Sequence, residues 1–135
     1  INLGYEIAII TNQSGIQRGY FTQKDFLNLT EWMKEKFKEN GINILKVYYC
    51  THGPEDNCEC RKPKIGMITQ AIGDFDIDLN KSWLIGDKIS DIQTAINSNI
   101  KNSILIKSSY QKEDDEKIAS FTANSLFDTI NIIKE

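Results

Sequence analysis

Residues 5–10, Tyr-Glu-Ile-Ala-Ile-Ile, form a near-continuous apolar run, the pattern of a strand buried on both faces of a parallel sheet. The polar segment 11–19 that follows reads as a loop. From Thr22 the period changes. Phe26, Leu29, Met33 and Phe37 recur at helical spacing, Thr22 reads as an N-cap with Asp25 three positions on, and Gly41 stops the helix. Strand patterns return at 45–49, 82–85 and 103–106, and helical patterns at 65–75 and 89–97. Ser125 with Asp128 can cap a last helix running through Lys134, and the charged stretch 112–117 reads as a solvated loop or helix edge. This alternation predicts an α/β fold with a doubly wound parallel sheet, in which ligands bind beyond the carboxyl ends of the strands.

Composition narrows the class. At 135 residues with 40% hydrophobic content the chain is the size of one domain, expected to span 1–135 and to bury a core of its own. Its net charge of -3 and 26% charged residues give neither the basic excess of a nucleic-acid binder nor the acidity of a disordered tail. No apolar run approaches the ~20 residues of a membrane span, and the start carries no secretory pattern. A soluble, cytoplasmic protein is expected. The chain does not begin with Met and its first strand starts within a few residues, as expected of a piece cut from a longer polypeptide.

The three cysteines and the single histidine all fall between Cys50 and Cys60. Cys58 and Cys60 are too close in sequence for an easy bridge, so a disulfide framework is not expected. Cys50-x-His52, five residues, then Cys58-x-Cys60 offers three thiolates and an imidazole, a set suited to tetrahedral zinc, with Gly53 and Pro54 helping the loop 50–60 to reverse. Four protein ligands leave no open position, which predicts a structural rather than a catalytic metal. Singly, each would read as an ordinary buried cysteine or histidine; their coincidence favours the metal site. The spacing is not that of a DNA-reading zinc finger.

Three further segments share a theme. Thr11-Asn12-Gln13-Ser14-Gly15 follows the first strand and presents hydroxyls, amides and backbone N–H groups, the donors a phosphate accepts; the same residues would also make a capping turn. Arg61-Lys62-Pro63-Lys64 leaves the last cysteine directly, giving a guanidinium fork and an ammonium suited to phosphate, or else a solvated basic turn. Trp83-Leu84-Ile85-Gly86-Asp87-Lys88 ends a strand in a carboxylate able to meet Mg²⁺. Asp91, four residues on, can join it or simply favour a helix N-terminus.

In this order, Thr-Asn-Gln-Ser-Gly, Cys-x-His-x5-Cys-x-Cys-Arg-Lys-Pro and Gly-Asp-Lys-x3-Asp resemble the zinc-containing heptose-bisphosphate and histidinol-phosphate phosphatases of the haloacid dehalogenase superfamily, over about residues 5–107. The run from Thr11 to Thr22, with Ser14 and Lys88, looks like the heptose-bisphosphate branch. The five-residue zinc loop is also familiar from the histidinol branch. The resemblance implies a Mg²⁺-dependent hydrolase that removes the 7-phosphate of D-glycero-D-manno-heptose 1,7-bisphosphate, a small sugar phosphate used for lipopolysaccharide or a related glycan, and a monomer acting without nucleic-acid or membrane partners. It further implies that Thr11 and Lys62 stabilise the transferring phosphoryl group and that Asn12, Gln13 and Ser14 contact substrate. Arg61 would recognise the distal part of the substrate and Lys88 a phosphate. Asp87 would bind Mg²⁺, and Cys50, His52, Cys58 and Cys60 would bind Zn²⁺.

One family feature is missing. Members open on a strand ending in an Asp-x-Asp-Gly-Thr-like motif, whose first Asp attacks phosphorus and whose second is acid and base. No Asp occurs here before Asp25. The expectation is a sheet lacking its first strand, in a fragment inactive by itself, with histidinol-phosphate hydrolysis or a non-catalytic zinc-stabilised phosphate-binding module as the alternatives.

Overall fold

The computed structural model describes residues 4–53, 55–108 and 118–133. Pro54, the charged stretch 112–117 and Lys134 lie outside the described residues. The chain divides into two compact units, Ile1–Arg61 and Lys62–Glu135, each taken here by itself.

In the first unit, β1 (Ile7–Asn12) is followed by a short helix α1 (Ser14–Gln17), the long helix α2 (Gln23–Glu39) and β2 (Ile44–Cys50). β1 and β2 pair in parallel, from Ile7 opposite Ile44 to Asn12 opposite Cys50, with a register shift between Ile7 and Ile9. The strand predicted at 5–10 therefore sits two residues later, and its last two residues come from the segment expected to be loop. Nor is β1 fully enclosed: Ala8 is exposed and its neighbours are half-buried. Among the described residues it pairs with β2 alone, so its apolar run is covered on fewer sides than a central strand would be.

Helix α2 starts where its cap dictates. Thr22 Oγ1 accepts from the Asp25 backbone N–H at 3.0 Å, and Asp25 Oδ2 accepts in return from the Thr22 N–H at 3.1 Å. Two of the helix's orphan donors are satisfied this way. The helix packs on β2 through Phe26, whose ring centroid lies 4.7 Å from that of Tyr49. Its inward line runs through Phe26 and Thr30, both buried, to half-buried Met33. Leu29, assigned to that line by spacing, is instead 63% exposed, and Phe37 is also exposed. Leu29 lies about 100° round the helix from Thr30, on the flank of the face that packs.

The second unit runs α3 (Gly66–Asp74), β3 (Trp83–Gly86), α4 (Ile89–Asn97), β4 (Asn102–Ile106), β5 (Phe121–Ala123) and α5 (Thr129–Ile133). Its three strands are parallel in the order β3-β4-β5. The central strand carries three consecutive buried residues, Ser103, Ile104 and Leu105, as a strand covered on both faces should. Ile92 and Ala95 of α4 and Met67, Ile68 and Ala71 of α3 complete a core to which each fully buried large aliphatic side chain contributes roughly 1.5–3 kcal/mol. Parallel strands separated by helices bear out the α/β reading, with pairings that fall into a two-stranded and a three-stranded sheet among the described residues. No helix among those residues is long and apolar enough to cross a membrane.

Thr22→Ala removes one half of the reciprocal cap and should lower the unfolding free energy by about 0.5–2 kcal/mol in urea denaturation; an unchanged midpoint would contradict the cap's role.

Candidate functional site

Parallel pairing brings the loops after β1 and β2 out at the same edge of the first unit. The Gln13 backbone N–H donates to the Cys50 carbonyl at 2.6 Å, extending the ladder to the point where both loops depart. Gln13 Nε2 also donates to Thr11 Oγ1 at 2.9 Å. With that oxygen accepting, the Thr11 hydroxyl proton is left to donate to another group. Ser14 opens α1, and Gly15 has no room for a side chain because a β-carbon there would overlap the Phe21 ring. The expected loop at 11–19 is thus a strand end and one helical turn. Asn12 and Ser14 lie half-buried within it.

Cys50 is the last residue of β2 and buried, so its thiol is set by the sheet. Cys50, His52, Cys58 and Cys60 each offer one donor atom, and these four atoms lie within 4.8 Å of one another. His52 Nδ1 is 3.5 Å from Cys50 Sγ and 3.4 Å from Cys60 Sγ, while Cys58 Sγ is 3.5 Å from Cys50 Sγ. All three cysteines are free of disulfides. Around a tetrahedral ion with metal–sulfur bonds of about 2.3 Å, sulfurs sit about 3.8 Å apart; the Cys50–Cys58 separation is close to that, whereas Cys60 Sγ lies 2.6 Å from Cys50 Sγ and would have to move outward for the four donors to surround one ion.

The loop between these ligands has supports of its own. The Gly53 N–H donates to Asp56 Oδ2 at 2.7 Å and to Gln17 Oε1 at 2.8 Å. Hydrogen bonds from the Gln17 side chain and the Gly53 N–H hold the Asp56 carboxyl below its ordinary range. Asn57 takes the left-handed conformation, φ 52°, that Asn tolerates better than most residues. It is a turn position that Gly53 and Pro54 had overshadowed. Arg61 Nη1 donates to the His52 carbonyl at 3.2 Å, so the guanidinium is tied to the loop it follows.

Before a cation binds, the thiols are far from uniform. Burial, then the hydrogen bond with Cys60, pushes Cys50 up to about 12. Burial likewise raises Cys60. At Cys58 burial also opposes ionisation, but the Arg61 backbone N–H and hydrogen bonds with Cys50 and Cys60 outweigh it and bring the thiol down to about 7. A metal must therefore displace protons, and raising the pH removes that competition.

In the second unit, Lys62 Nζ meets Asp91 Oδ1 at 2.5 Å, with the two side chains only 13% and 9% exposed. Asp91 Oδ2 accepts from the Lys88 backbone N–H at 3.2 Å and so caps α4 at the same time. Both carboxylate oxygens are engaged, one with Lys62 and the other as the cap of α4. Gly86 is required by this arrangement: a β-carbon there would fall inside the Asp91 side chain. Asp87 and Lys88 follow β3 on an exposed turn, and the Asp87 carbonyl accepts from Ser108 Oγ at 3.1 Å. The pairing of Lys62 with Asp91 spans 29 positions and had no local signature beyond an Asp in a first helical turn.

Competition with a chromophoric chelator should show metal affinity strengthening from about pH 6 to about pH 8, with proton release on binding; a pH-independent affinity would contradict thiolate ligation. Asp91→Ala should cost about 3–5 kcal/mol in urea denaturation, because it strands a largely buried ammonium; a loss below about 1 kcal/mol would mean that Lys62 reaches water unaided.

A family model described as HAD-hydrolase-like matches residues 59–131. The chain is 41% identical over 139 residues to D-glycero-beta-D-manno-heptose-1,7-bisphosphate 7-phosphatase of Pasteurella multocida (strain Pm70), covering 98% of this chain and 76% of the relative. To the protein of the same name from Helicobacter pylori (strain ATCC 700392 / 26695) it is 50% identical over 106 residues, covering 78% of this chain and 61% of that relative. Among solved structures, a D,D-heptose 1,7-bisphosphate phosphatase from B. bronchiseptica complexed with magnesium and phosphate matches in fold with a TM-score of 0.82 at 24% identity, over 98% of this chain and 76% of that one.

Proposed function

The chain belongs to the heptose-bisphosphate phosphatases of the haloacid dehalogenase superfamily, and from that premise we propose that its protein hydrolyses the 7-phosphate ester of D-glycero-D-manno-heptose 1,7-bisphosphate. The observation that carries this reading is the Lys62–Asp91 pair: a positive charge of limited freedom, held by a buried carboxylate at the head of the helix that follows Asp87. Phosphoryl transfer asks the protein mainly for alignment and for neutralisation of charge spreading over the phosphoryl oxygens. A fixed ammonium meets the second need.

In this reading Lys62 and the Thr11 hydroxyl stabilise the transferring phosphoryl group, and the amide of Gln13 orients Thr11. Asn12, Gln13 and Ser14 contact the sugar phosphate, Lys88 contacts phosphate, and Arg61 recognises the distal part of the substrate. Mg²⁺, held through Asp87, would offset phosphate charge when bound. Three thiolates and an imidazole favour Zn²⁺ at the cluster, in a structural role because no position is left for water. The family's attacking carboxylate is none of the residues named here, and the activity is proposed for the protein in which such a carboxylate stands beside them, acting in the cytoplasm where phosphorylated sugars are made. There the phosphorus–oxygen ester bond to the sugar breaks as the bond to the carboxylate forms, and water later releases phosphate.

Phosphate release by the full protein should be faster with either anomer of heptose 1,7-bisphosphate than with histidinol phosphate, should stop after one phosphate per molecule, and should be lost in Asp87→Ala while bound zinc is retained. Preference for histidinol phosphate would move the protein to the alternative branch, and full turnover by Asp87→Ala would remove that residue from the metal site.

A further inference from the structure

Gln17 closes helix α1, which opens on Ser14, the last of the residues assigned to substrate in this segment, and none of the roles above uses it. Its carboxamide faces two ways. Oε1 accepts the Gly53 N–H at 2.8 Å across 36 positions of sequence, and hydrogen bonding to the same side chain helps to hold the Asp56 carboxyl low. Gly53 and Asp56 both lie inside the metal loop, between His52 and Cys58, and are themselves joined by the 2.7 Å bond from the Gly53 N–H to Asp56 Oδ2. Gly53 is buried, so its N–H needs these partners. A surface glutamine that bonds locally contributes little. This one joins a single helical turn to an irregular loop, both of which cost conformational entropy to order.

We propose that Gln17 is a positioning residue that couples occupancy of the metal cluster to order in the substrate segment 11–17. The metal closes loop 50–60, the closed loop presents the Gly53 N–H and the Asp56 carboxylate side by side, and Gln17 anchors α1 to both. Coupling of this kind is reciprocal: whatever orders α1 also tightens metal binding. The proposal deepens the phosphatase reading and rests on it for calling 11–17 a substrate segment. Its readouts are exchange and metal affinity, so it stands or falls separately from turnover.

Three amides report on α1: Arg18 N–H bonds to the Ser14 carbonyl, Gly19 N–H to Ile16 and Tyr20 N–H to Gly15. In hydrogen–deuterium exchange on the full protein, with β4 as internal reference, stripping zinc with a chelator should speed exchange at 18–20 several-fold. Gln17→Ala should do the same with one zinc still bound, and should weaken zinc affinity roughly tenfold. Gln17→Glu keeps the acceptor for Gly53 but sets a carboxylate against Asp56, and should resemble Gln17→Ala. The double variant Gln17→Glu/Asp56→Asn moves the amide donor to position 56 and should restore both slow exchange and zinc affinity. Exchange at 18–20 that is indifferent to zinc or to Gln17→Ala would overturn the coupling, as would a double variant no better than Gln17→Glu alone.

Discussion

Four soft donor atoms held within 4.8 Å of one another are the constraint on which the first unit turns. Three thiols at that separation resist ionising together, and burial adds to the cost at Cys50, which is pushed up to about 12, while hydrogen bonds bring Cys58 down to about 7. A divalent cation bound there would resolve the conflict by attracting all four donors at once. It would also convert a stretch of loop with little apolar content into a fixed object, since metal bonds can replace the core that a segment of this length cannot build. Cys50 anchors that object to the sheet, and Arg61, tied to the His52 carbonyl, is fixed with it.

The second unit solves a different electrostatic problem in a comparable way. A largely buried lysine is costly unless a carboxylate accompanies it, and Asp91 serves while also capping α4. The absence of a side chain at Gly86 makes room for that carboxylate. In both units the chemistry sits where parallel strands end, after Asn12, Cys50 and Gly86, the edge at which α/β sheets expose loops and backbone donors to ligands.

Much of this was legible along the chain. Helix α4 falls on the predicted 89–97, and α2 was marked by its cap and its stop because those signals are local. The clustering of Cys50, His52, Cys58 and Cys60 was legible because these residues are few, soft and close in sequence. What escaped was short or non-local. β5 has three residues and α1 four, too few to establish a period. Leu29 fits a helical spacing yet lies off the packed face, which only the position of β2 decides. Lys62 with Asp91, and Gln17 with Gly53 and Asp56, are contacts between residues far apart in sequence whose individual identities announce nothing.

The central claim is that a closed metal knot orders this protein's working loops. X-ray absorption at the zinc edge of the purified full protein addresses it directly. Three sulfurs at about 2.3 Å and one nitrogen at about 2.0 Å are expected, with no oxygen in the shell. A shell containing water, or a metal-replete preparation in which the cluster holds no zinc, would contradict it.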